Sequence, residues 1–167
     1  YMRTFQNSLL ENACTAAVEG QIQYASERGV PWGISESAYS ALDFRRTYQY
    51  RAFGVPSLGL KRGLEDELVI APYATALALP IKPAEAVRNL MRLERSGMRG
   101  RLGFYEALDY GRQKERGGDK GVIIYAYMAH HQGMSLCAIN NLLNRGILQR
   151  RFHSDSRVKA MEQLMVE

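Results

Sequence analysis

Two glutamates of this sequence lie in irregular, aromatic-rich segments, where a carboxyl group can take part in acid–base chemistry. Glu36 lies in P-W-G-I-S-E-S-A-Y and Glu106 lies in G-F-Y-E-A-L-D-Y. Cleavage of a glycosidic bond needs two carboxyl groups, one protonated to assist the leaving oxygen and one ionised to attack or to activate water. Since most glutamates are solvated surface residues, the spacing alone makes this pair a weakly specific hypothesis.

Two adjacent histidines, His130 and His131, form a second candidate in Y-M-A-H-H-Q-G-M-S. A metal site is not the favoured interpretation, because successive residues on a helix point about 100° apart, and His153 is remote. We instead expect one histidine to hydrogen-bond a substrate or a carboxylate and the other to be structural. Gln132 and Gly133 would leave room for a close polar contact.

The composition limits the classes of function. The 167 residues include 22 Lys and Arg against 17 Asp and Glu, and these charges are interleaved. A nucleic-acid site is therefore not favoured. No window reaches the roughly 18 uncharged apolar residues of a membrane span, and Y-M-R-T-F is no export leader, so we expect a soluble chain. Cys14 and Cys137 lie in apolar helical contexts, which favours two reduced, buried thiols.

Helices are the elements that we expect to position these side chains. Apolar residues recur at three- and four-residue steps over 5–28, and prolines typical of a first helical turn predict helices over 72–79 and 83–97. The apolar run that begins at 122 continues with helical spacing to 143, and a last helix is expected from about 154 or 155 to the final residue. The sum is a mainly α fold of four or five helices.

Long segments without clear periodicity separate these helices. Segment 32–72 holds repeated Gly and Pro, and within it 46–53 is compatible with a short strand or a helix. Segment 97–121 is glycine-rich, and its Q-K-E-R-G-G-D-K-G stretch is expected to be a mobile surface loop. Both candidate glutamates therefore fall in loops, where helical scaffolds commonly keep their chemistry.

Six ordered blocks of the sequence resemble the cyclic β-1,2-glucan synthases, and in particular their glucoamylase-like middle domain. The blocks are G-V-P-W-G-I-S-E-S-A-Y, Y-Q-Y-R-A-F-G-V-P-S-L-G-L-K-R-G, V-I-A-P-Y-A-T, G-F-Y-E-A-L-D-Y, M-A-H-H-Q-G-M-S-L and R-R-F-H-S-D-S-R-V. The resemblance spans about Phe5 to Glu167. It implies a glycoside hydrolase fold, the (α/α)6 toroid, and transglycosylation that cuts a linear β-1,2-glucan and joins its ends into a ring.

The resemblance also implies roles for individual residues. Glu36 and Glu106 match the catalytic acids, and their division into acid and nucleophile stays open, as does retention or inversion of the anomeric carbon. Some relatives are expected to have Asp at position 106, which makes Glu36 the safer catalytic candidate. No cofactor or metal is implied. The residues expected to stack on sugars or to bind their hydroxyls are Trp32, Tyr39, Arg62, Tyr73, His130, His131 and Gln132.

The chain length bears on how much of such a domain is present. A toroid of twelve helices needs roughly twice this length, so we expect a single fragment over 1–167, the C-terminal half of the domain, which is inactive alone and self-associates through an exposed apolar flank. Its other expected partners are a β-1,2-glucan chain and the remaining domains of a bacterial inner-membrane synthase. The fragment itself would lie on the cytoplasmic side without touching the membrane. The alternative is a glucan-binding or interdomain module without catalysis.

Overall fold

Six α-helices, two short 3-10 helices and seven short strands lie in the part of the chain that the structure describes. The computed structural model describes residues 5, 8–59, 63–64, 67–111 and 120–164. The helices are α1 (Leu9–Glu27), α2 (Pro72–Leu77), α3 (Pro83–Arg95), α4 (Ala129–Leu143), α5 (Ile147–Phe152) and α6 (Ser156–Met161). The strands are β1 (Ser37–Leu42), β2 (Tyr48–Arg51), β3 (Val69–Ile70), β4 (Arg99–Gly100), β5 (Gly103–Phe104), β6 (Ala107–Asp109) and β7 (Val122–Ile124).

Helix α1 confirms the helix predicted over 5–28 and holds the segment that leads to Glu36. The hydroxyl of Ser8 accepts a hydrogen bond from the Glu11 amide, which satisfies one of the amides left unpaired at a helix start. In the middle of the helix, the Gln21 side-chain amide donates to the Ile34 carbonyl at 2.7 Å and its oxygen accepts from the Ile34 amide at 2.8 Å. These two bonds fix the backbone two residues before Glu36.

The two helices that begin with proline are also confirmed. Pro72 and Pro83 occupy the first positions of α2 and α3, where a missing amide costs nothing. Asn89 of α3 is buried, and its side chain accepts from the Trp32 amide at 3.1 Å and donates to the Trp32 carbonyl at 2.7 Å. Helix α3 thereby holds the Trp32 backbone, so α1 and α3 together position the loop that precedes β1.

A close approach between this loop and α2 requires a glycine. Gly33 has φ 117°, a conformation that side chains with a Cβ rarely adopt. A Cβ at this position would lie 2.7 Å from Thr75 Oγ1 and 3.2 Å from the Ala71 carbonyl oxygen. The backbone before Glu36 can therefore pack directly on the start of α2, which carries Tyr73.

The strands depart from the expected mainly α fold. They form an antiparallel β1–β2 hairpin, a three-stranded antiparallel sheet in the order β3–β6–β7, and a β4–β5 pair. Segments 32–72 and 97–121, predicted to be irregular, contain six of these strands. Four of these six span only two or three residues, which is too short to show an alternating pattern in sequence.

The predicted helix over 122–143 is wrong in its first third. Residues Val122–Ile124 form strand β7, and α4 begins only at Ala129. The apolar run pairs with β6 because Ile124 is fully buried beside Ala107 in the sheet, and a short apolar run does not distinguish a buried strand from a helix. The last helix, α6, has Asp155 as its N-cap, as predicted.

The core lies between α1, the three-stranded sheet and the helices α2 and α3. It contains the side chains of Val18, Ala25, Ile34, Ala38, Val69, Ile70, Ala86, Leu93, Met98, Leu108 and Ile124. Both cysteines are half-buried rather than buried as expected. The predicted mobile loop, Q-K-E-R-G-G-D-K-G, lies almost entirely outside the described residues. Among the helices of the described part, none is long and apolar enough to cross a membrane.

Candidate active site

A buried carboxylate and a buried imidazole form the centre of the site. Glu106 lies between β5 and β6, His131 lies in the first turn of α4, and both residues are 2% exposed. His131 Nδ1 is 2.9 Å from Glu106 Oε1 and 3.0 Å from Oε2. The Ala38 amide of β1 also donates to Glu106 Oε1, at 3.3 Å. The His131 ring of α4 and the Ala38 amide of β1 thus hold this carboxyl group. We call Glu106 and His131 the buried pair.

Helix α2 covers the buried pair with an aromatic ring. The Tyr73 ring stacks on the His131 imidazole, with ring centroids 3.8 Å apart and an interplanar angle of 12°. The Tyr73 hydroxyl donates to Ser35 Oγ at 2.7 Å and lies 3.2 Å from the Glu36 carbonyl oxygen. Burial raises the pKa of Tyr73, so its phenol stays neutral. Tyr73 therefore joins the buried pair to the backbone that carries Glu36.

Tyr50 of the β1–β2 hairpin connects the buried pair to the surface. Its hydroxyl oxygen is 3.2 Å from His131 Nε2 and 3.5 Å from Nε2 of the exposed His130. Partial burial, followed by the nearby Glu36, Tyr73 and Glu106, raises the pKa of Tyr50 to about 12. The Tyr50 hydroxyl is therefore protonated at neutral pH.

The two histidine rings do not point apart as the sequence predicted. Their centroids are 3.9 Å apart, and both Nε2 atoms approach the Tyr50 hydroxyl. The expected angle of about 100° separates the Cα–Cβ directions of consecutive helical residues. Rotation about the side-chain bonds nevertheless brings both rings to the Tyr50 hydroxyl. The expectation of a carboxylate partner fits His131, which contacts Glu106.

Glu36 differs from Glu106 in its exposure. Glu36 is exposed immediately before β1, whereas Glu106 is buried behind His131. An exposed carboxyl can reach a large substrate without any movement of the fold. A cavity of about 240 Å³, which Glu36 does not line, lies beside the buried pair between α2 and α4. It is lined by Pro72, Tyr73, Ala76, Leu90, Leu102, Gly103, Phe104, Tyr105, Glu106, His131, Gln132, Ser135, Leu136 and Ile139.

The remaining predicted site residues are distributed around this centre. Gln132 lines the cavity and donates to the Phe104 carbonyl at 3.1 Å. Tyr39 is half-buried, and its hydroxyl lies 3.4 Å from Gln49 Oε1. Trp32 is 8% exposed and belongs to the core, which leaves little ring surface for a sugar to stack on. Arg62 lies outside the described residues.

The sequence did not single out two polar residues that shape this region. Tyr50 was one of several aromatic residues in an unassigned segment, and its contact with His131 joins residues 81 positions apart. Asp109 is 1% exposed and accepts from the amides of Ser40, at 2.9 Å, and Gly111, at 2.8 Å, so it joins β6 to β1. The only signal for Asp109 was its place in the same short block as Glu106.

Comparison with known proteins assigns the family. The sequence model of the family described as "Putative glucoamylase" matches residues 4–156. The chain belongs to this family. It is also 42% identical to the cyclic β-(1,2)-glucan synthase NdvB of Rhizobium meliloti (strain 1021) over 166 residues. The match covers 99% of this chain and 6% of NdvB, so the chain spans a small part of that relative.

Solved structures show the same fold. An endo-β-1,2-glucanase from Chitinophaga pinensis, in complex with sophorotriose and glucose, matches with a TM-score of 0.60 and 21% identity, over 93% of this chain and 34% of that chain. A "putative glucoamylase" from Bacteroides fragilis NCTC 9343 matches with a TM-score of 0.60 and 23% identity, over 93% and 33% of the two chains. The resemblance to cyclic β-1,2-glucan synthases is confirmed, and the described helices and strands form part of a glucoamylase-like fold.

Proposed function

We propose that this chain is part of a domain that cleaves linear β-1,2-glucan and rejoins its ends into a cyclic glucan. The observation that carries the proposal is the presence of two carboxyl groups near Tyr50: the exposed Glu36 and the buried Glu106, which is joined to Tyr50 through His131. The likeness to a cyclic β-1,2-glucan synthase and to an endo-β-1,2-glucanase supports this substrate class.

Within this proposal, Glu36 is the carboxyl that contacts the sugar. Glycosidic cleavage needs a carboxyl that can reach the scissile bond, and Glu36 is exposed. Glu106 remains the proposed second acid, but both of its oxygens contact His131 and it is 2% exposed. We therefore propose that Glu106 contributes by holding the His131 imidazole rather than by contacting the sugar.

The direct test is an assay with the glucan itself. Full-length protein that contains this chain is incubated with linear β-1,2-glucan, and the cyclic and linear products are separated by mass. We expect cyclic products. Each is lighter by one water than the linear glucan of the same length, because a ring has a glycosidic bond in place of the two free chain ends. Shortened linear chains alone would indicate hydrolysis, and unchanged glucan would reject catalysis.

One observation favours the alternative of a glucan-binding module. The proposed acids differ in access, since Glu106 is buried and Glu36 is exposed, and a single accessible carboxyl is sufficient for binding sugar hydroxyls. Such a module would retain linear β-1,2-glucan on an affinity column and leave it chemically unchanged. The product assay therefore separates the two functions.

Exposed apolar side chains on α4 support the proposal that this chain is completed by further protein. Leu136 and Leu143 are 66% and 73% exposed, although apolar residues of this size are usually covered. We propose that the remainder of a longer synthase covers this helix. The match covers only about a third of each structural relative, so their chains extend well beyond the part that this chain represents.

We expect the isolated chain of 167 residues to self-associate for the same reason. Light scattering over a range of concentrations measures this, and replacement of Leu136 and Leu143 by Gln is expected to return the chain to a monomer. The matched control is replacement of Leu9, which is 69% exposed on α1. A strictly monomeric chain at high concentration would contradict the proposal.

A further inference from the structure

Three tyrosine rings that the proposed chemistry does not use form a cluster at the surface. The Tyr105 ring lies edge-to-face against Tyr125, with ring centroids 4.9 Å apart and an interplanar angle of 76°, and lies tilted against Tyr127 at 5.2 Å and 35°. Tyr125 is 65% exposed, and the other two are half-buried. We call these three residues the tyrosine platform. Clustered aromatic surface in contact with solvent is a common feature of binding sites.

A glycine makes room for two of the three rings. Gly100 ends β4, and a Cβ at this position would lie 2.6 Å from the Tyr105 hydroxyl oxygen and closer still to that of Tyr127. Only glycine allows side chains to approach the backbone so closely. The Tyr105 and Tyr127 rings are therefore packed directly on the β4–β5 hairpin, and the exposed Tyr125 ring contacts a surface that is already held in place.

The platform is continuous with the candidate active site. Tyr105 directly precedes Glu106 and, together with it, lines the cavity between α2 and α4. The Glu106 amide donates to the Ala126 carbonyl at 3.0 Å, and Ala126 lies between Tyr125 and Tyr127 in sequence. Consecutive Cα atoms are about 3.8 Å apart, so the backbone of the platform runs beside that of the buried acid. A polymer bound at this cavity is therefore within reach of the exposed Tyr125 ring.

The chemistry of the platform fits a chain of β-linked glucose. In the chair form of β-glucose the hydroxyl groups are equatorial, so each face of the ring presents C–H groups and the rim presents hydroxyls. A C–H face packs on an aromatic ring, and a phenolic oxygen can donate to or accept from a hydroxyl at the rim. A tyrosine side chain supplies both contacts, and it loses little conformational entropy on binding because it has few rotatable bonds.

We propose that the tyrosine platform is a glucan-binding subsite, at which a glucose unit of linear β-1,2-glucan stacks on the Tyr125 ring beside the candidate active site. This inference rests on the proposed function for the identity of the sugar. The platform binds a glucose unit that does not react, so it holds the chain near the acids and takes no part in bond cleavage. Its loss should weaken binding and leave the chemical step unchanged.

The affinity for the glucan is the direct test. Binding of linear β-1,2-glucan to the full-length protein is measured by titration calorimetry, with Glu36→Gln as the parent so that the glucan stays intact. We expect Tyr125→Ala to raise Kd about tenfold, a typical loss for an aromatic anchor, and Tyr125→Phe, which keeps the ring, to raise it by a smaller factor. Because Tyr125 is 65% exposed, neither change should prevent folding. An unchanged Kd in Tyr125→Ala would overturn the inference.

The matched control for this measurement is Phe44→Ala. Phe44 lies in the turn of the β1–β2 hairpin, is 89% exposed and does not belong to the platform. It loses an exposed aromatic ring as Tyr125→Ala does, and its Kd is expected to stay that of the parent. An equal rise in Kd for Phe44→Ala would show that any loss of exposed aromatic surface weakens binding, and would count against the inference.

Chemical modification decides what covers the platform in the full-length protein. Tetranitromethane nitrates accessible tyrosines, and fragmentation of the modified peptide by mass spectrometry gives the extent of nitration at Tyr125. We expect Tyr125 to react in the free protein and to be protected by linear β-1,2-glucan. A Tyr125 that does not react without glucan would show that another part of the protein covers it, and would overturn the inference. Equal nitration with and without glucan would also overturn it.

The kinetics of ring closure separate this inference from the proposed function. We expect Tyr125→Ala to raise KM with little change in kcat, because the platform contacts the bound glucan and the transition state equally. A lower kcat at the same KM would place Tyr125 in the chemical step and would overturn the inference. Protein that binds the glucan through Tyr125 but forms no cyclic product would refute the proposed function and would still support the subsite.

Discussion

Replacement of Glu36 by Gln is expected to stop the proposed ring closure of linear β-1,2-glucan in the full-length protein. The amide keeps the size of the side chain but can neither attack as an anion nor donate an acidic proton. General acid–base catalysis by a positioned side chain contributes roughly 10²- to 10⁴-fold, and we expect a loss in that range or larger. The measurement is the ratio of cyclic to linear product, resolved by mass.

Because Glu36 is exposed, this test separates a loss of activity from a loss of stability. An exposed side chain outside the core contributes little to folding, so the variant should keep the stability of the unmodified protein. The exposed Glu85 on α3 supplies the matched Glu→Gln control, for which both product classes should be unchanged. Cyclic product at the normal rate in Glu36→Gln would reject the catalytic role of this residue.

Replacement of Glu106 by Ala is expected to lower the free energy of unfolding by about 3–5 kcal/mol. The change leaves His131, which is 2% exposed, without its carboxylate, and leaves the Ala38 amide without an acceptor. Loss of one partner of a buried pair costs far more than loss of an exposed one, because the remaining polar group stays desolvated. Urea unfolding of the two proteins measures the difference.

A double variant separates the loss of the pair from the loss of volume. Glu106→Leu combined with His131→Phe replaces both buried polar groups by apolar ones, and such replacements are commonly neutral or stabilising. We expect it to recover most of the stability lost in Glu106→Ala while abolishing ring closure. A Glu106→Ala variant within about 1 kcal/mol of the unmodified protein would show that Glu106 is hydrated and is not held as the structure indicates.

The local signals were sufficient for three helix starts because they act over a few residues, although α5 was not predicted. Pro72 and Pro83 mark first helical turns, and Asp155 supplies the N-cap of α6. These effects involve neighbours within one turn, and the sequence displays them directly. The predicted boundaries of α2 and α3 accordingly differ from the observed ones by two residues.

Apart from β2, which lies within segment 46–53 where a strand was one of two interpretations, the strands were missed because their stability comes from partners distant in sequence. Strand β6 pairs with β3 through Ile70 and Leu108, and with β7 through Leu108 and Ile123. A strand of two or three residues has no stable form without such partners. The apolar residues of β7 were therefore predicted to start a helix, although they form an edge strand of a small buried sheet.

The sequence by itself indicated the family, most of the helices and four side chains of the candidate site: Glu36, Glu106, His130 and His131. Only the tertiary structure decided that Glu36 is exposed and Glu106 buried, and that Tyr50 contacts the imidazole that holds Glu106. The reason is physical. Residue type sets what a side chain can donate or accept, whereas its solvation and its partners depend on elements up to 81 residues away, which meet only when the chain folds.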